Sequence, residues 1–227
     1  TWVTIHGTSQ RPGRGAIAYV RQEGPGWTAP QTLVPAEDTY NRYYPAYSPD
    51  GAFVVYDESR CGGGRNYGDE CDGDADDSAR LWAIATEGGA RVELARANAP
   101  GVADGARTEL ANTYPKWAPF VDPRTRAGGD RVMWMTFSSR RSYGLRAPSG
   151  SNQQLWMVAV DPDAVMRGQD GSFAAFALPF QDLGTSNHVA QWAAQIVPPT
   201  DTDGGVGDGG STDGGMCAGV GDPCDDT

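Results

Sequence analysis

The chain has 227 residues, 39% of them hydrophobic, and a formal net charge of −11, which is enough apolar material for the core of one large domain or two small ones. So acidic a balance argues against a nucleic-acid partner, because phosphate binding rests on clustered Lys and Arg. The 31 Gly and 16 Pro favour many short strands joined by turns over long helices, and no stretch reaches the roughly 18–20 apolar residues of a membrane-spanning helix.

The chain opens on an apolar-alternating run, Thr1-Trp2-Val3-Thr4-Ile5, with neither an initiating Met nor a signal peptide. A mature or truncated product is expected, and export stays open. The run at 15–20 and the Thr-Leu-Val at 32–34 read as an early strand pair around Trp27. An internal repeat follows. Its first copy carries Tyr44-Pro45-Ala46-Tyr47-Ser48-Pro49-Asp50-Gly51, then Phe53-Val54-Val55-Tyr56, then Leu81-Trp82-Ala83-Ile84. The second carries Tyr114-Pro115-Lys116-Trp117-Ala118-Pro119, then Val132-Met133-Trp134-Met135, then Leu155-Trp156-Met157-Val158. A degraded third start reads Asn187-His188-Val189-Ala190-Gln191-Trp192.

Each copy predicts an aromatic strand ending at a Pro-containing turn, since Pro fixes φ and donates nothing to a ladder. Asp50-Gly51 supplies the tight turn of the first copy. The apolar runs are short and rich in Val and aromatics, so strands are expected over helices; the one helical segment is at 163–167. The predicted body spans 1–197. Residues 198–216 are so poor in apolar side chains that a flexible Gly/Asp linker is expected, followed by a Cys-bearing tail at 217–227.

Four-stranded units repeating around an axis make a β-propeller, whereas two copies packed face to face make a β-sandwich. The Tyr-Pro-x-Tyr-Ser-Pro-Asp-Gly motif followed by Phe-Val-Val-Tyr resembles the repeat of TolB-like propellers, also called the PD40 repeat. The second copy departs from it, with Ala118 in place of Ser and Phe120-Val121-Asp122 where Asp-Gly would follow. The resemblance implies an all-β fold of about three antiparallel blades. Closed propellers have about four to eight, so membership of a larger ring, completed by the rest of a longer chain or by a protein partner, is expected. It further implies a non-enzymatic binding or scaffold module in the periplasm, at the cell surface or secreted. An alternative is a propeller enzyme, such as a metal-assisted polysaccharide lyase or a hydrolase. The TolB-like oligogalacturonate lyases place histidines on metal, and His188 stands here without such a cluster. Prolyl oligopeptidase propellers carry a similar repeat, but no Gly-x-Ser-x-Gly elbow occurs in this chain.

The four cysteines form two local pairs, Cys61 with Cys71 and Cys217 with Cys224. Even numbers at such spacing suit disulfides in an oxidising compartment; zinc would want tighter spacing or more histidines than His6 and His188. Between 61 and 77 lies an acidic loop in which Asp72, Asp74 and Asp76 alternate beside Asp77. Hard oxygen ligands in that pattern suit Ca2+, and a calcium-stabilised surface protein is the third functional reading. The loop is not an EF-hand, because Asp77 and Ala83 stand where Gly and Glu are needed. A solvated loop is the plain alternative, and otherwise no cofactor is expected. The aromatics Tyr43, Tyr44, Tyr47 and Tyr114, with Trp117, Trp134, Trp156 and Trp192, suit either packing between blades or a ligand platform. Arg140, Arg141 and Arg146 beside Ser138-Ser139 form a small basic cluster, read as a solvated loop or a face for an acidic partner.

Overall fold

In the computed structural model the described residues are 2–3, 14–60, 76–122 and 131–193. They form antiparallel sheets with few and short helices. The first sheet has the order β1-β2-β5, from β1 (Trp2–Val3), β2 (Ile17–Tyr19) and β5 (Gln31–Val34). Between the last two, β3 (Gln22–Glu23) and β4 (Gly26–Trp27) close a small hairpin through Gly24, whose φ of +58° a side chain would resist. The strand pair expected around Trp27 is therefore β2 with β5.

Two four-stranded sheets follow in simple sequence order. One holds β6 (Tyr40–Tyr47), β7 (Phe53–Arg60), β8 (Arg80–Ala85) and β9 (Val92–Glu93). The next holds β10 (Thr113–Asp122), β11 (Val132–Ser139), β12 (Gln154–Val160) and β13 (Phe176–Ala177). Two short helices, α1 (Ala95–Asn98) and α2 (Pro162–Met166), lie in the connections. The second is the helix read from the sequence; Asp161 caps it by accepting the N–H groups of Asp163 and Ala164.

Period-two alternation assigns the faces. Phe53, Val55, Leu81 and Ala83 form one buried cluster with Met133, Met135, Phe137, Trp156 and Val158 of the following sheet. The intervening positions, Val54, Tyr56 and Ile84, instead meet Ile17 and Val34 of the first sheet. The middle sheet is thus covered on both faces, which explains the unbroken apolar run Phe53–Tyr56, all fully buried. Each such side chain contributes about 1.5–3 kcal/mol by leaving water.

The first strand of the repeat ends ahead of the Pro49 turn, as expected, but in the second copy β10 runs on through Pro119, where its pairing slips between Trp117 and Val121. Pro45 and Pro115 lie earlier in the same two strands. The pairing slips between Tyr43 and Ala46, and again between Thr113 and Lys116, so each proline sits in a bulge where no ladder N–H is required. Tyr44 and Tyr114 take φ of +47° and +58° there. The Asp50-Gly51 turn forms as expected, with Gly51 at φ +72° and the Asp50 carboxylate accepting from Ser48 Oγ and the Ala52 N–H.

By contacts the chain divides into Thr1–Ala194 and Gln195–Thr227. The second unit, with the expected linker and its Cys217 and Cys224, lies outside the described residues, as do Cys61, Cys71, Asp72 and Asp74.

Candidate functional site

Strand alternation also decides which polar side chains gather. On the face of the middle sheet that turns toward β2 and β5, the apolar residues give way to charged ones at one end. There Arg42 stands opposite Glu58 and Glu58 opposite Arg80, while Tyr40 pairs with Arg60. The result is a cavity of about 320 Å³ lined by Tyr40, Glu58, Ser59, Arg60, Ser78, Arg80, Trp82 and Arg91. That volume lies at the small end of the about 300–1,000 Å³ usual for ligand sites.

Glu58, 5% exposed, is held from both sides, by Arg42 Nε at 2.7 Å and by Arg91. Arg42, itself fully buried, also pairs with Glu37 at 2.9 Å and donates to the Pro35 carbonyl. Arg91 lies 5.1 Å over the Trp82 ring. Burial works against its charge, but Tyr56 and Glu58 outweigh that cost and raise its pKa above the ordinary value. Arg80 pairs with Glu93 and Arg60 with Glu109, the latter on the surface. Ser59 is 1% exposed, and its Oγ has no hydrogen-bond partner. Neither Glu93 nor Glu109 lines the cavity, so among the described residues three guanidiniums face one carboxylate across it.

The sequence-predicted residues fall elsewhere. Of the acidic set, Asp76 and Asp77 are described. Asp77 pairs with Arg140. Asp76 is 2% exposed; its Oδ1 accepts from Ser78 N–H and Oγ at 2.8 and 2.6 Å, and its Oδ2 has no partner. Among the described residues no three His, Cys, Asp or Glu side chains gather as a metal group.

The basic cluster is neither a solvated loop nor a surface face. Arg140 is spent on Asp77, and Arg141 is buried between Phe137 and Trp156, at 5.1 and 4.8 Å from their rings. It donates to the Ala97 carbonyl and to Asn112 Oδ1, at 2.6 and 2.9 Å. Burial pushes its pKa down to about 10, with Asp104 opposing. Only Arg146 is exposed.

The aromatics mostly pack. Tyr44 and Tyr114 stack at 4.3 Å with their hydroxyls 3.3 Å apart, and His188 lies 6.1 Å beyond the Tyr114 ring. Trp117 meets Phe53 edge-on, and Trp134 meets Phe176. Trp192 meets Phe120 in the same edge-on fashion.

Tyr40, Ser59, Arg60, Arg80 and Arg91 were missed by the sequence reading. The available signal was the alternation Tyr56-Glu58-Arg60 and Arg80-Trp82, which puts charge and aromatic on one strand face. No family model, curated protein or solved structure matches the chain.

Proposed function

We propose that this chain is a non-enzymatic, extracytoplasmic binding or scaffold module built from propeller-type blades, related in design to the TolB-like repeat. One observation carries the reading: successive sheets are joined by the same contacts at repeat-equivalent positions. Asp57 on β7 accepts the Tyr114 N–H at 3.0 Å, and Ser138 on β11 accepts the Val189 N–H at 3.2 Å. Tyr114 and Val189 share a left-handed φ, +58° and +55°. Three residues beyond each, an indole N–H reaches back to the previous repeat: Trp117 to the Ala46 carbonyl at 3.3 Å, Trp192 to that of Lys116 at 3.0 Å. The segment at 187–192, not itself a strand, thus lies on the third sheet much as β10 lies on the second. A middle sheet buried on both faces and a repeated joint between sheets suit a rigid frame, and the arginine-lined cavity gives that frame a place to bind. A protein partner completing the sheet stack belongs to the same reading.

A panel of acidic and neutral oligosaccharides, peptides and esters tests it, read by thermal shift for binding and by mass spectrometry for product. A stabilising compound recovered chemically intact supports the module. Conversion of any compound, lost in His188→Ala or in an arginine variant of the cavity, favours a propeller enzyme instead.

Calcium stabilisation is a second reading, favoured by the buried, unpartnered Oδ2 of Asp76. A melting temperature lowered by chelator and restored by Ca2+, but insensitive to both in Asp76→Asn, would support it.

A further inference from the structure

We infer that the cavity at the end of the middle sheet captures a small carboxylate-bearing ligand, an inference that rests on the binding-module reading above. Two features converge there. Arg60, Arg80 and Arg91 line the space, whereas the carboxylates that pair with Arg60 and Arg80 stand outside it. A guanidinium offers five N–H donors in a planar fork that matches a carboxylate. The contacts to Glu109, Glu93 and Glu58 each engage one nitrogen of the respective arginine.

The second is Trp82, half-buried behind Arg91 and presenting an apolar wall to the same space. A carboxylate on a short carbon stem matches this set: its oxygens take guanidinium donors, and its methylenes lie against the indole. Glu58, already shared by Arg42 and Arg91, leaves one end of the cavity less positive. This favours a singly charged planar head over a dianionic phosphate.

Calorimetric titration of the intact chain at low ionic strength tests the assignment with three compounds: glutarate, its uncharged analogue glutaramide, and inorganic phosphate. Glutarate is expected to bind, glutaramide not, and phosphate more weakly than glutarate. Arg60→Gln, at an exposed residue whose loss spares the fold, and Arg80→Gln should each weaken glutarate about tenfold. Arg21→Gln, whose partner is Glu87 away from the cavity, should change nothing.

No glutarate binding up to about 10 mM, equal binding of glutaramide, or unchanged affinity in both arginine variants would overturn the inference and leave the module reading standing. Phosphate binding as tightly as glutarate would overturn the carboxylate assignment. Chemical conversion of a carboxylate held in this cavity would keep the site and sink the non-enzymatic reading.

Discussion

Asp57 is where the joint between the second and third sheets can be weighed. Its carboxylate is fully buried, and Oδ2 accepts both the Thr113 hydroxyl and the Tyr114 N–H. Asp57→Ala removes the acceptor and leaves those two donors inside a closed joint. Each buried donor without a partner costs about 1–3 kcal/mol, so a loss of about 3 kcal/mol is a conservative sum. Tyr114 also sits at φ +58°, a conformation that costs a non-glycine residue roughly 1–2 kcal/mol and that the Asp57 bond helps to hold. For a chain of this size each kcal/mol moves the melting temperature by about 2–4 °C, which gives a fall of about 6–12 °C. Urea unfolding followed by tryptophan fluorescence provides the free energy directly. Asp57→Ser, which copies the solution used at Ser138, should recover about half the loss. A cost below about 1 kcal/mol for Asp57→Ala, or no recovery in Asp57→Ser, would refute the joint as described.

Other variants probe separate features. Ser59→Ala should stabilise the free protein by about 1 kcal/mol in the same unfolding assay, because it deletes a buried hydroxyl that has no partner; a destabilisation would show that the Oγ is bonded. Gly171→Ala should cost about 1–3 kcal/mol, since a Cβ there would stand 2.3 Å from the Asp161 carbonyl oxygen; a neutral result would mean that the turn after α2 yields. Tyr56 bears on alkaline stability: burial raises its pKa well above the ordinary 10.0, with Arg91 opposing. The unfolded chain therefore releases this proton before the folded one does, and the contribution is whole below pH 10 and lost as pH rises above it. Arg141, whose pKa is lowered, moves stability the opposite way at high pH. The readout is accordingly the difference between the protein and Tyr56→Phe in urea midpoint from pH 8 to 11. That difference should shift in favour of Tyr56→Phe above pH 10, and a flat difference would contradict the burial.

Much of the fold was legible because its signals are local. The Val-rich run at β7 and the Leu-Trp starts at 81 and 155 fix strands by composition and alternation, and the Asp50-Gly51 turn follows from φ preference. What Pro119 does was not legible. A proline excluded from a ladder can end a strand or occupy a bulge, and only the partner strand decides between these. The cavity was hidden for a similar reason. Arg60 and Arg80 are far apart in sequence and meet Tyr40 and Trp82 only through register. Arg141 misled in the opposite direction: it reads as surface charge, yet the faces of Phe137 and Trp156 and the acceptors on Ala97 and Asn112 compensate it inside.

The most direct test of the repeated joint follows the indole protons by two-dimensional NMR in deuterated solvent. Trp117 and Trp192 donate to carbonyls of the preceding repeat, 3.3 and 3.0 Å away, whereas Trp27 is 67% exposed. Slow exchange of both the Trp117 and Trp192 protons, against immediate loss of that of Trp27, is the predicted result. Exchange of the Trp192 proton as fast as that of Trp27 would contradict the equivalence of the two joints and, with it, the reading of successive propeller-type blades.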